Sequence, residues 1–166
     1  RLRTEWRYKI SQHVESPSDV LRHLNKELLR SKIGKHATLF IGILDTLNQR
    51  YSYANAAHFP YPVLEVDNRT EVLEMPSAPL GLFKDATYEE RSFSYQQYIA
   101  VAFCSDGMLE VNPNASLSER EQNWLNTVIS KRFNIPAIWA AMGVTDDTEA
   151  PDDMTAMAVT HWNSKS

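Results

Sequence analysis

One cysteine is all this chain of 166 residues has, and a single thiol cannot form an internal disulfide. Cys104 lies in an apolar stretch, which reads as a buried, inert thiol. The chain fits a reducing cytoplasm. No apolar run approaches the ~18 residues that a membrane helix needs. The start, Arg1-Leu2-Arg3-Thr4-Glu5, has charge but no apolar core after it, so no signal peptide is expected. Basic residues are not in excess: 17 Lys and Arg stand against 21 Asp and Glu, a net charge of −4. That argues against a general nucleic-acid binder, whose phosphate affinity rests on clustered cations. There is no Gly-rich phosphate loop, no Cys/His zinc spacing and no Gly-x-Ser-x-Gly elbow. No Ser/His/Asp set or cysteine nucleophile is favoured by spacing. Internal repeats and low-complexity segments are also lacking.

What is present suits one domain over residues 1–166 with a full hydrophobic core. Residues 1–14 read as the end of a helix, with Leu2, Trp6 and Ile10 on one face. Ser16-Pro17-Ser18-Asp19 opens another helix, which carries Val20, Leu21, Leu24, Leu28 and Leu29 as its stripe and Gly34 as its cap. Thr38–Asp45 and Tyr51–Ala56 read as a hairpin, and Tyr61–Val66 and Glu71–Met75 as a second, turning through Asp67-Asn68-Arg69-Thr70. Pro76–Asp85 is a loop and Tyr88–Tyr95 an edge strand. Tyr98–Cys104 is apolar enough to be covered on both sides. Ser118-Glu119-Arg120-Glu121 matches a capping box for a helix through Arg132, with Trp124, Leu125, Val128 and Ile129 facing the core. A short helix, Ile135–Met142, an acidic loop over 144–151, a strand over Met154–Thr160 and a frayed tail from His161 follow. Helices, then antiparallel strands, then helices and a strand make an α+β layout rather than an alternating parallel one.

Two apolar strands carry acid at one end. Asp106-Gly107 follows Tyr98–Ser105, and Asp152-Asp153 precede Met154. Carboxylate oxygens suit hard cations such as Mg²⁺ and Mn²⁺. The plain alternative is that Asp106 opens an Asp-Gly turn and that the acidic loop is merely solvated. His58, at the end of Ala54-Asn55-Ala56-Ala57-His58, reads as a hydrogen-bonded structural histidine.

These segments together resemble the PPM-type metal-dependent protein serine/threonine phosphatases, in the branch of the sporulation protein SpoIIE and the stress-response phosphatase RsbU. Tyr53-Ala54-Asn55-Ala56-Ala57-His58-Phe59-Pro60, Pro79-Leu80-Gly81-Leu82, Ser105-Asp106-Gly107-Met108-Leu109-Glu110 and Asp152-Asp153-Met154-Thr155 match its motifs in order. The helix from Ser16, with Val20-Leu21 and Leu24-Asn25, matches a fifth. The resemblance implies an antiparallel β-sandwich flanked by helices, with two Mn²⁺ or Mg²⁺ ions at one end. It implies that the metal pair activates a water that attacks the phosphorus of phosphoserine or phosphothreonine in line. Asp106 and Asp152 would be ligands of one metal. Asp153 would be the neighbour that points elsewhere or supports the site, because alternation turns successive side chains to opposite faces. No catalytic role for His58 is implied.

Ala57 stands where the branch has Gly, and Ser105 where Thr is common. The family's first metal motif, Gly-Asp-x-x-Gly-His-Gly, does not occur in these residues. The expectation is that the chain lacks the front of such a domain, its N-terminal strands and the bridging Asp included, and that the fragment as given has an incomplete two-metal site. A narrower resemblance is to the output domain of an RssB-type response regulator, preceded by a receiver domain. The implied activity is dephosphorylation of a regulatory phosphoprotein of the anti-sigma-factor antagonist type in sigma-factor signalling. The alternative is a phosphatase fold that binds a regulatory partner without catalysis. Helix residues Leu2, Trp6 and Tyr8 are expected to pack on the core or on a second subunit, as in a homodimer. Neither nucleic acid nor membrane is an expected partner.

Overall fold

A computed structural model describes residues 16–144 and 153–163. The helix expected at 1–14 and most of the acidic loop lie outside the described residues. The chain divides into two compact units, one taking in the chain up to His58 with Met75–Ser94, the other Phe59–Glu74 with the chain from Tyr95 onward.

In the first unit, helix α1 spans Pro17–Ser31. Ser16 caps it by accepting the N–H of Asp19, and Pro17 sits in the first turn, where a missing N–H is harmless. The helix stops at Lys32, which takes the left-handed conformation at φ 53°. Termination therefore falls two residues before the expected cap, Gly34, which is left-handed as well. Strands β1 (Leu39–Asp45), β2 (Arg50–Ala56) and β5 (Arg91–Ser94) form an antiparallel sheet with β2 in the middle. One face of that sheet follows from alternation: Leu39, Ile41, Ala54 and Ala56 pack with Leu21 and Leu24 of α1. Full burial of Leu21 alone contributes about 2 kcal/mol. Tyr53 stacks between Phe40 and Phe93, with centroids 5.4 and 6.0 Å away.

In the second unit, β3 (Val63–Val66), β4 (Arg69–Val72), β6 (Tyr98–Cys104) and β7 (Ala156–Trp162) form an antiparallel sheet in the order β4-β3-β6-β7. The β3–β4 turn is tight because Asp67 and Asn68 both accept positive φ. Strand β6 is central, and Ile99 to Ala102 are all buried. It runs into a 3₁₀ turn, Asp106–Leu109. Helices α2 (Leu117–Ser130) and α3 (Ile135–Ala141) cover Val63, Ala100, Ala102 and Cys104 with Trp124, Val128 and Ile138. Asn134 caps α3, with Pro136 in its first turn.

Other details differ from the sequence reading: β4 runs over Arg69–Val72 rather than Glu71–Met75, because the turn is made by Asp67 and Asn68 alone. The capping box of α2 is Ser116 with Glu119, one Ser-x-x-Glu earlier than Ser118 with Glu121, because Ser116 accepts the Glu119 N–H while Glu119 returns to the Ser116 N–H. Ile129 is 40% exposed and Thr127 is buried in its stead. β7 starts and ends two residues later than expected, so His161 and Trp162 pair with Ile99 and Tyr98 rather than fray. The Trp162 ring lies 4.7 Å from that of Tyr98, and Tyr95 Oη and His161 Nδ1 are 3.1 Å apart. Each unit thus has an antiparallel sheet with helix packed on it, the α+β layout that the element order implies.

Candidate metal centre

The apolar character of β6 carries the chain to Ser105, where the regular ladder with β7 stops and a side chain takes over. Ser105 donates its N–H to the carbonyl of Thr155 at 2.9 Å. Its hydroxyl donates to the Asp153 carbonyl and accepts the Thr155 N–H, both at 2.9 Å. The segment before β7 is thus held against the end of β6 by one serine. This is why Met154 and Thr155 precede the strand rather than open it.

Gly107 makes the approach closer still. A Cβ there would lie 2.6 Å from the Asp153 carbonyl oxygen and 3.1 Å from its carbon. Asp106 does open a turn, a 3₁₀ turn over Asp106–Leu109, and the residue after it is glycine because a neighbouring backbone occupies the Cβ position.

Asp106 and Asp153 are thereby brought to one place, and both are exposed. Asp106 accepts the N–H of Gly107 at 3.1 Å. Behind it, Cys104 is buried, and burial together with the Asp106 charge pushes its thiol far up, as an inert thiol requires. Asp152 lies outside the described residues. Among those described, no three acidic, His or Cys side chains come together as a metal cage. The donors at hand, carboxylate oxygens at the solvent edge, are of the type that fits Mg²⁺ or Mn²⁺.

The other motifs lead to buried amides rather than to acids. Asn55 is fully buried. It donates to the carbonyls of Met75 (2.9 Å) and His58 (3.2 Å) and accepts the His58 N–H (3.0 Å). That loop forces Ala57 to φ 54°, the geometry that Gly adopts without cost. Asn25 of α1 is equally buried. It accepts the Gly81 N–H at 2.7 Å and donates to the Phe83 carbonyl at 2.9 Å. Gly81 is left-handed at φ 80°, and a Cβ there would lie 2.8 Å from the Lys35 carbonyl oxygen. Sequence reasoning noticed His58 and passed over Asn55, Asn25 and Ser105. Their signal was an uncharged polar residue inside an apolar run, but the partners of Asn25 and Ser105, and the Met75 carbonyl that Asn55 reaches, are distant in sequence.

Comparison with known proteins gives one consistent picture. The family model described as stage II sporulation protein E (SpoIIE) matches residues 1–162. The phosphoserine phosphatase RsbP of Bacillus subtilis (strain 168) is 28% identical over 104 residues, which are 62% of this chain and 25% of that protein. A Mycobacterium tuberculosis structure of RsbU and RsbW domains superposes with a TM-score of 0.75 at 23% identity, covering 97% of this chain and 46% of the other. The magnesium complex of RsbX gives 0.58 at 15% identity, with 92% and 66% covered. The manganese-soaked phosphatase domain of Bacillus subtilis SpoIIE gives 0.55 at 13% identity, with 89% and 76% covered. The chain spans a quarter of RsbP and under half of the mycobacterial chain.

Proposed function

The chain belongs to the SpoIIE family of PP2C-type phosphatase domains, and from that premise we propose that it is part of a Mn²⁺- or Mg²⁺-dependent phosphatase acting on phosphoserine or phosphothreonine. The observation that carries the proposal is the meeting of Asp106 with the Asp153 segment through Ser105 and Gly107. Asp106 and Asp152 are the proposed ligands, with Asp153 as their supporting neighbour. Bound cations would supply charge neutralisation for the phosphoryl group and a water acidic enough to attack at neutral pH. The chain's own part is positional. Ser105 fixes the Asp153–Thr155 backbone, Gly107 lets it approach, and Asp106 presents its oxygens to solvent. Hydrolysis breaks the P–O ester bond, returns a serine or threonine hydroxyl and releases inorganic phosphate.

The name of the relative RsbP, a phosphoserine phosphatase, supports a phosphoserine substrate; we propose that this substrate is a regulatory phosphoprotein of sigma-factor signalling, of the anti-sigma-factor antagonist type. We place the reaction in the cytoplasm, in a single domain preceded by the remaining metal ligands and, in the full protein, a receiver domain, and working as a homodimer. No described helix is long and apolar enough to cross a membrane. The test is hydrolysis of p-nitrophenyl phosphate by the full-length protein. Turnover that needs Mn²⁺ or Mg²⁺ and vanishes in Asp106→Ala is expected. Metal-independent turnover, or an unaffected variant, overturns the proposal. An inert full-length protein supports the partner-binding alternative instead.

A further inference from the structure

The chain's charge is unevenly placed. Against a net charge of −4 overall, the stretch from Val20 to His36 holds five Lys and Arg and one acid. That acid, Glu27, is already paired with Arg30 at 3.1 Å. Lys26, Lys32 and Lys35 are exposed, and among the described residues none of them makes an ion pair.

Beside these lysines the same unit displays apolar side chains. Asn25 grips the loop on both sides of Leu82, through the Gly81 N–H and the Phe83 carbonyl. Ala37 and Leu80 exchange backbone hydrogen bonds at 3.0 and 2.8 Å, tying the loop to the segment after α1. The loop is therefore held at three points, yet Leu82 is 52% and Phe83 54% exposed. Ile33, between Lys32 and Lys35, is 58% exposed. Holding apolar groups outward on a fixed backbone lowers the ordering cost of a partner that covers them. The buried amide Asn25 is spent on this loop.

We propose that Leu82, Phe83 and Ile33, with Lys26, Lys32 and Lys35, form a docking surface for an acidic protein whose apolar side chains cover the three hydrophobes. The occupant follows from charge complementarity: lysines without an ion pair stand on the segments tied to the apolar loop, Lys26 next to Asn25 and Lys35 with its carbonyl against Gly81, and such a pairing of cations with exposed hydrophobes steers an acidic partner and then anchors it. A membrane surface fits less well, because the apolar stripe of α1 that would enter lipid is turned inward through Leu21 and Leu24. The inference rests on the phosphatase reading in making this partner the phosphoprotein substrate.

The experiment uses the full-length protein and two probes, phosphorylated α-casein as an acidic, apolar phosphoprotein and p-nitrophenyl phosphate as a substrate too small to dock. Leu82→Ser/Phe83→Ser and Lys32→Glu/Lys35→Glu change exposed groups outside the metal centre, and a melting curve checks their folding. Each double variant is expected to raise KM for the casein about tenfold, with Mn²⁺-dependent p-nitrophenyl phosphate turnover unaltered. Binding of dephosphorylated α-casein, measured by anisotropy, should weaken by the same factor. Unaltered casein binding and KM in both variants overturn the docking surface. So does an unaltered protein that binds phosphatidylglycerol vesicles and not casein. Loss of p-nitrophenyl phosphate turnover in the unaltered protein counts against the phosphatase reading alone, since the binding measurement still decides docking.

Discussion

At the start of β6 the Asp67 carboxylate accepts the N–H groups of Gln96, Gln97 and Tyr98, at 2.7, 2.9 and 3.0 Å. At the far end of the same strand, Asp106 is exposed and accepts one N–H, that of its neighbour Gly107. An ionised carboxylate has about four acceptor positions. Asp67 has committed most of its own to backbone donors. Asp106 keeps most of its oxygen capacity for something outside the chain. The residue type is the same and so is the strand; the difference is how much of each carboxylate the fold already uses. Acid identity in a sequence therefore says little about function until its backbone donors are counted.

The sharpest way to break the comparison is to delete each acid in turn. Asp106→Ala should abolish metal-dependent hydrolysis of p-nitrophenyl phosphate while leaving the melting temperature within a degree or two, since it removes one short-range hydrogen bond. Calorimetric titration with Mn²⁺ should show the same loss. A variant that melts much lower but still binds the metal would place Asp106 in the structural class with Asp67.

Gly107→Ala comes next. Its Cβ would meet the Asp153 carbonyl at 2.6 Å, so the 153–155 segment must move. We expect a loss of about 1–3 kcal/mol by denaturant unfolding, as for other overpacked sites. Metal affinity should fall with it, though both carboxylates remain.

Asp67→Ala should give the mirror image of Asp106→Ala: lower stability and intact metal binding. The loss should be about 1 kcal/mol, because the site is solvent-screened. Its pH dependence is also fixed. Partial burial pulls the Asp67 carboxyl up, but the N–H groups of Tyr98, Gln97 and Gln96, aided by Arg69, outweigh it and hold it below the ordinary aspartate range. A carboxyl depressed on folding stabilises fully above its unfolded value, and that stabilisation is lost as pH falls through the folded value. The stability gap between wild type and Asp67→Ala should therefore be constant at neutral pH and shrink below about pH 4. A gap that grew on acidification would mean that the carboxyl is raised.

The two ends of β6 also show what a sequence makes readable. The strand was legible from its apolar run, and both hairpins from alternation around polar turns. The helix from Ser16 was legible from its cap and stripe. Asp106 was legible as a candidate because it closes that run. Asp67 was legible only as a turn residue, since its donors lie some thirty positions away. Asn25 was obscure for the same reason, its partners lying more than fifty positions away. Boundaries slipped where two local signals competed, as with the two Ser-x-x-Glu patterns at Ser116 and Ser118. They slipped too where a distant aromatic decided the end, as Tyr98 does for Trp162.

Ser105 gives the smallest and most discriminating effect. Its hydroxyl donates to the Asp153 carbonyl and accepts the Thr155 N–H, so it joins the exposed acid to the approaching segment without being a metal donor. Ser105→Ala removes both bonds at a half-exposed site, where water replaces part of the loss; about 0.5–1 kcal/mol of stability should go. Ser105→Thr keeps the hydroxyl and adds one methyl, so the bonds survive if that methyl finds room on the solvent side. Metal affinity should follow the same order, with Ala weakened a few-fold and Thr near the parent, because the clamp sets where the Asp153 segment sits relative to Asp106. If Ala and Thr bind Mn²⁺ equally well, the hydroxyl contributes only to folding. The far end of β6 would then owe its site to Gly107 and the carboxylates alone.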